Sequence, residues 1–246
     1  MSVSRRSLVR STAAAIPFLA LSRAFKAAET RAAQLKIVVT GGHPGDPECG
    51  CGGTIARYTD LGHQVVLLYL NRGEAFCGAA RAVECGAVRT AEAERACRIL
   101  KARAAFAGQY DGRSILDNQH YDDFRQLLDA EKADIFFAHW PIDRHRDHRA
   151  SSMLVLDAWL RGGRKSALYF YEVTDDTMMF TPAEFVDISS VVARRQAACY
   201  AHSSQQPEKW YPKQVELTRH RGTESGYGEA EAFVRHWESR AGLLPR

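Results

Sequence analysis

The chain has 246 residues, 46% of them hydrophobic and 25% charged, enough for one well-buried α/β domain or two small ones. Its 33 basic and 29 acidic residues give a net charge of +4, but residues 1–28 hold five of the basic ones and no acid, leaving 28 basic against 29 acidic beyond them. That near-neutral remainder gives no sign of a nucleic-acid partner, and no apolar run approaches the ~20 residues of a membrane span.

The first 28 residues read as an export leader. Ser4-Arg5-Arg6-Ser7-Leu8 sets a twin arginine before the modest apolar stretch 13–21, and small residues follow at Ser22, Ala24 and Ala28. A charged start, a short apolar centre and a small-residue exit mark a signal peptide, and the paired arginines point to the Tat route and a periplasmic destination.

From residue 33 to 246 the pattern alternates within one domain. Leu35–Thr40 is a β-branched strand ending in Gly41-Gly42, Gly52–Leu61 a helix, and Gln64–Leu70 a nearly continuous apolar strand. Thr90–Lys101 has helical spacing, Ala104–Ala107 is a short strand, and Tyr121–Glu131 a helix. Ala133–His139 is a buried strand followed by a helix over about Arg149–Leu160; Ala167–Val173 and Phe185–Ile188 add strands, Ser190–His202 and Glu229–Trp237 helices. Apolar strands each followed by a helix predict a mostly parallel sheet covered on both faces. Ligands of such folds bind beyond the carboxyl ends of the strands, which directs attention to the loops 41–53, 71–89 and 140–148.

The six cysteines are Cys49, Cys51, Cys77, Cys85, Cys97 and Cys199. Cys77 and Cys85 flank a Gly/Ala-rich loop and are candidates for a disulfide in an oxidising compartment. Cys49-Gly50-Cys51 lacks a second cysteine pair to complete a four-thiolate metal site, so buried small residues are the expected role.

The first loop, Gly41-Gly42-His43-Pro44-Gly45-Asp46-Pro47-Glu48, is glycine-rich, yet no G-x-G-x-x-G dinucleotide fingerprint runs through it. A His and an Asp three residues apart on a Pro/Gly turn can instead offer a nitrogen and an oxygen to one metal. The later loop, His139-Trp140-Pro141-Ile142-Asp143-Arg144-His145-Arg146-Asp147-His148, packs three His and two Asp into ten residues at a strand end. His, Asp and His drawn from these two strand ends make a tripod suited to Zn²⁺ or another divalent metal, one per chain, with a position left for water.

His43-Pro44-x-Asp46-x-Glu48 together with His145-x-Asp147-His148 resembles the PIG-L/LmbE family of zinc-dependent N-acetylglucosaminyl deacetylases. Arg89-Thr90-Ala91-Glu92 and His202-Ser203-Ser204-Gln205 are similar to two further segments of that family. The resemblance spans roughly residues 35–235 and implies a Rossmann-like α/β fold and metal ligation by His43, Asp46 and His148. It implies that His145 stabilises the tetrahedral intermediate or protonates the leaving amine, that Asp147 orients or charges His145, and that Arg89 contacts substrate. The implied reaction is hydrolysis of an N-acetyl group from an amino sugar or glycoconjugate.

One position departs from the family pattern. Two adjacent acids normally follow His-Pro, the first of them the general base, and here that first position is Gly45. Glu48 or Asp147 are candidate substitutes, and the alternative is a non-catalytic carbohydrate- or metal-binding relative. Arg72, Glu74, His120, Tyr121, Trp140, the run 169–171 and His202 carry weaker claims, with turn, capping or core roles as the alternatives.

Overall fold

The computed structural model describes residues 33–245; the expected leader over 1–28 lies outside the described residues. The elements run β1 (Lys36–Gly41), α1 (Asp46–Asp60), β2 (Gln64–Tyr69), α2 (Ala82–Leu100), β3 (Arg103–Phe106), α3 (Asn118–Glu131), β4 (Ile135–His139), α4 (Arg146–Arg161), β5 (Ala167–Tyr171), β6 (Glu184–Asp187), α5 (Val192–Tyr200), α6 (Pro207–Ser225) and β7 (Ala230–Arg235). They form one seven-stranded sheet of order β3-β2-β1-β4-β5-β7-β6. The first five strands in that order are parallel, and β7 runs antiparallel to both β5 and β6. This is the single, mostly parallel α/β domain that the strand–helix alternation predicts. Among the described residues, no helix is long and apolar enough to cross a membrane.

Successive strand side chains point to opposite faces, so each strand feeds two cores. Ile37, Val39, Leu67 and Phe137 pack with Ile55 and Tyr58 of α1 and with Ala93, Ala96 and Leu100 of α2. Val38, Leu68, Phe136 and Leu168 pack on the other face with Phe124 and Leu128 of α3 and Leu154, Val155 and Trp159 of α4. A strand buried on both faces has no polar stripe, which is why β2, β4 and β5 read as continuous apolar runs.

Three sequence expectations need correction. Glu229–Trp237 is not a helix: residues 230–235 form β7, with Ala230, Glu231, Ala232 and Phe233 all buried. The Glu and Ala there favour a helix locally, but pairing to two strands and a buried role for Glu231 override that preference. The Glu231 carboxylate accepts the backbone N–H groups of Gly53 and Thr54 at 2.8 and 2.7 Å and lies 3.1 Å from Arg195 Nε. Second, α6 went unpredicted because its buried face is polar. Pro207, Tyr211, Gln214, Thr218, Arg221 and Gly222 recur at helical spacing, but hydrophobic periodicity cannot register Gln, Thr and Arg.

The third correction concerns the loops. Helix α1 begins at Asp46 rather than Gly52, and α2 at Ala82 rather than Thr90. The glycine-rich stretch is helical because its glycines let the helix approach the sheet: a Cβ at Gly50 would overlap the Tyr171 ring and come within 2.9 Å of the Glu172 carbonyl oxygen. Gly50→Ala is therefore expected to cost about 1–3 kcal/mol by overpacking. Urea unfolding should show a lowered midpoint with an unchanged slope, and an unchanged midpoint would contradict this close approach.

Candidate metal and active site

Strand β1 is followed in chain order by β2 on one side, while β4 lies on its other side, so the connections diverge above the β1–β4 pair. That divergence opens a crevice at the carboxyl ends of the two strands. Into it β1 delivers His43, the first turn of α1 delivers Asp46, β4 ends in His139, and the first turn of α4 delivers Asp147 and His148. The predicted loop residues Asp46 and His148 thus stand on helix N-termini, where the backbone dipole favours a carboxylate.

The geometry centres on one oxygen. Asp46 Oδ2 accepts the backbone N–H of His43 at 2.7 Å and lies 3.3 Å from His43 Nδ1, 3.2 Å from His139 Nε2 and 3.3 Å from His148 Nε2. The opposite nitrogen of His43, Nε2, meets Asp111 Oδ1 at 3.1 Å and Asp147 Oδ2 at 3.2 Å. His148 Nδ1 pairs with Asp143 Oδ1 at 3.1 Å, which turns Nε2 toward Asp46. Asp143 is itself fixed by the backbone N–H of His145 at 2.8 Å and the hydroxyl of Thr177 at 3.1 Å.

Charge follows from this packing. Burial opposes a positive charge on His43, but the carboxylates of Asp111, Asp147 and Asp46 outweigh it and hold the imidazole well above its ordinary range. Burial likewise works against a charged His148, yet Asp46 and Asp143 raise it to about 9. Burial also opposes ionisation of Asp46, while His148, His139 and His43 keep its carboxyl well below the usual range. His139 is buried beside His148 and drops to about 4, so it stays neutral. His145 is lowered by burial and by the nearby His43 and His148.

The donor chemistry fits a small divalent cation. Three sets of three donors each lie within 4.8 Å of one another: His43, His145 and His148; Asp46, His139 and His148; and His43, Asp111 and Asp147. The predicted tripod of His43, Asp46 and His148 draws on all three sets without being one of them. A nitrogen of each of its imidazoles stands 3.3 Å from Asp46 Oδ2. The Asp143–His148 pair supplies the outer hydrogen bond that metal-ligating imidazoles use to fix their tautomer.

The other predicted residues are gathered here with altered partners. His145 lines the cavity, and its Nδ1 accepts the Asp147 backbone N–H at 3.2 Å, so the proton of the neutral ring sits on Nε2. The Asp147 carboxylate accepts from Gly112 N–H at 2.6 Å, Ser114 hydroxyl at 2.8 Å and Asn71 at 3.2 Å and meets His43, and its charge favours a protonated His145. Arg89 is buried at the cavity wall, where it donates to the Pro44 carbonyl at 2.6 Å and so braces the His-Pro turn. Glu48 is fully buried, accepting from Gly45 N–H at 3.1 Å and Tyr69 hydroxyl at 2.7 Å and pairing with His202 Nε2 at 2.9 Å, a helix-opening and supporting role.

Arg72 lies over the Phe106 ring and donates to Thr90, and Glu74 accepts the Arg72 N–H, so this pair makes a turn outside the cavity. His120 pairs with the capping Asp117. Cys77 and Cys85 form a disulfide, and Cys49, Cys51, Cys97 and Cys199 are free and buried.

Asp111, His139 and Asp143 carry much of the geometry and were assigned no role from the sequence. His139 and Asp143 stood in the quoted His-rich segment. Asp111 follows β3, and the strand-end rule alone could have pointed to it. The cavity over these groups measures about 430 Å³ and reaches past Phe76, Asp176, Gln205 and Trp210.

A family profile described as PIG-L, GlcNAc-PI de-N-acetylase, matches residues 38–159, the segment that carries β1 through α4 and both halves of this cluster. Over those residues the chain carries a PIG-L domain. It is 27% identical over 218 residues, 80% of this chain and 82% of the other, to diacetylchitobiose deacetylase of Thermococcus kodakarensis. Among solved structures it is similar to the conserved protein TT1542 of Thermus thermophilus, with 29% identity, TM-score 0.72, and coverage of 87% of this chain and 96% of that one. It also shares its fold with GalB, the 4-carboxy-2-hydroxymuconate hydratase of Pseudomonas putida KT2440, at 19% identity and TM-score 0.72, covering 86% of this chain and 100% of that one. A fold shared with a hydratase does not fix the reaction, and the chemistry of this chain has to be argued from its own site.

Removing the outer partner of His148 gives a direct check on that site. Asp143→Asn should weaken divalent-metal affinity about 10- to 100-fold while the fold persists. Competition with a chromogenic chelator measures it, and wild-type affinity in the variant would contradict the assigned support.

Proposed function

We propose that this chain is a divalent-metal-dependent N-deacetylase, with Zn²⁺ as the favoured ion, acting on an N-acetylated amino sugar or glycoconjugate. The observation that carries the reading is the convergence of His43 and His148 nitrogens on a buried Asp46 oxygen at the floor of an open cavity. His43, Asp46 and His148 would hold the metal. Its contribution when bound is to polarise the acetyl carbonyl and to lower the pKa of the attacking water.

The chain's own residues supply the rest. His145 lines the cavity and, with Nδ1 occupied by the Asp147 N–H, keeps its proton on Nε2, available to donate to oxygen as charge develops. Arg89 keeps the His43–Pro44 turn in place through its carbonyl contact and stands at the cavity wall, where it can also meet substrate. Phe76 and Trp210 give the cavity apolar walls beside polar groups, a mixture that suits a sugar ring with its two apolar faces. The curated relative's deacetylation of diacetylchitobiose supports the same substrate class.

Gly45 favours a second reading, a metal-bearing carbohydrate-binding protein without turnover, because no side chain there can take a proton from water. A missing base typically lowers the rate by about 10²–10⁴-fold without abolishing metal-assisted hydrolysis. The two readings separate on acetate release from N-acetylated mono- and disaccharides. Deacetylation predicts release that stops with chelator and returns with Zn²⁺, and a His145→Gln variant about 10²–10³-fold slower with metal retained. Metal-replete protein that binds these sugars yet releases no acetate would establish the second reading.

A further inference from the structure

If the chain is a deacetylase, a carboxylate elsewhere in the cavity could recover the factor of about 10²–10⁴ that a base at Gly45 would contribute. Restoring that base in place is disfavoured by the backbone: Gly45 has φ of +109°, a conformation that strains any residue with a Cβ, although the space beside the His202 ring would admit one. The acids around the cavity can be taken in turn. Asp46 is shared among three imidazoles, and Glu48 is enclosed by Tyr69, His202 and the Gly45 N–H. Asp111 joins His43 to the Ala75 N–H, and Asp147 takes donors from Gly112, Ser114 and Asn71 besides His43. Asp143 supports His148, and Asp175 is paired with Lys213 at 2.6 Å.

Asp176 is the exception. It lines the same cavity as His43, Gly45, Asp46, His145 and His148, and among the described residues its carboxylate has no hydrogen-bond or ion-pair partner. Its backbone is nonetheless firmly placed. The Asp176 carbonyl accepts the Arg144 N–H at 2.8 Å, Asp143 and Thr177 form a β-bridge, and the Met178 N–H donates to the Ile142 carbonyl at 2.9 Å. The turn after β5 is thereby tied to the loop that carries the His-rich motif. A free carboxylate on a fixed backbone, in the cavity that the His/Asp cluster also lines, is what proton transfer requires.

We propose that Asp176 is a catalytic residue, the general base and acid of this enzyme in place of the family's acid at position 45. The inference rests on the deacetylase reading. In the first step the Asp176 carboxylate takes a proton from water as the water oxygen bonds to the acetyl carbon and the carbonyl π pair moves onto oxygen. In the second, that pair re-forms the carbonyl, the C–N bond breaks, and Asp176 returns its proton to the departing nitrogen. The products are acetic acid and a free amine, and Asp176 ends as it began.

The charged groups that face Asp176 are His148 and His145 from the α4 end, Asp143 from the preceding loop and Asp46 from α1, with Lys213 of α6 held by the neighbouring Asp175. Burial raises its carboxyl above the ordinary aspartate range, His148 and His145 oppose that, and Asp143 and Asp46 add to it.

The test compares wild type, Asp176→Asn and Asp176→Glu, each with metal content measured, on the substrate wild type hydrolyses best. The expected result is a kcat at least 100-fold lower in Asp176→Asn, KM within about threefold, metal retained, the acid limb of the kcat/KM profile gone, and partial recovery in Asp176→Glu. An Asn variant within threefold of wild-type kcat and keeping the acid limb overturns the role of Asp176 while leaving the deacetylase reading intact. Loss of activity together with loss of metal assigns Asp176 a structural role and also overturns it. A wild-type protein that releases no acetate removes both readings at once.

Discussion

Asp46 Oδ2 is met by one backbone N–H and three imidazole nitrogens within 3.3 Å, in a pocket where those side chains are largely closed to water. A carboxylate in such surroundings requires positive charge close by, because an unpaired buried ion costs several kcal/mol. In the described residues that charge rests on His43 and His148, both raised above their ordinary range by the acids around them. A divalent cation would provide the same compensation with fewer groups, and deprotonated imidazoles are what it binds. The cluster is thus already arranged around a centre of positive charge.

The fold explains how residues 43, 46, 139, 143 and 148 come together. Parallel β1 and β4 are neighbours in the sheet, and their outgoing chains turn to different helices. The glycine-rich start of α1 brings the helix close enough for Asp46 to reach the crevice. Tyr171, against which Gly50 packs, ties the arrangement further by donating its hydroxyl to the Thr40 carbonyl at 2.7 Å. Arg195, buried beneath the same helix, donates to the Cys49 carbonyl at 2.7 Å and is matched by Glu231. A polar layer of Arg195, Glu231 and Gln214 therefore supports the floor of the site, and it is built from α5, β7 and α6.

That layer is where sequence reasoning fell short. The parallel strands were legible because burial on both faces leaves unmistakable apolar runs, and the metal cluster was legible because His and Asp crowd at strand ends. Helix α6 and strand β7 were missed or misassigned because their inward side chains include the polar Gln214, Thr218, Arg221 and Glu231, and Gln214, Arg221 and Glu231 find partners at Cys49, Glu172 and Gly53, far away in sequence. Pattern alone cannot show that Glu231 will receive N–H groups from α1. The early starts of α1 and α2 escaped for a related reason: glycine lowers helix propensity, and only tertiary contact shows why it is tolerated. Within the site, the link from Asp147 to His145 runs through the backbone N–H, while its carboxylate takes a Gly112 N–H and a Ser114 hydroxyl from another strand end, contacts that no sequence pattern shows.

The central claim is that Asp46 and two imidazoles, from His43 and His148, converge on one metal. X-ray absorption on Zn²⁺-loaded protein tests it most directly. The account predicts one ion per chain with only nitrogen and oxygen neighbours at about 2.0–2.2 Å, and loss of that signature in both His43→Ala and His148→Ala. Sulfur neighbours near 2.3 Å, or an unchanged spectrum in His148→Ala, would contradict it.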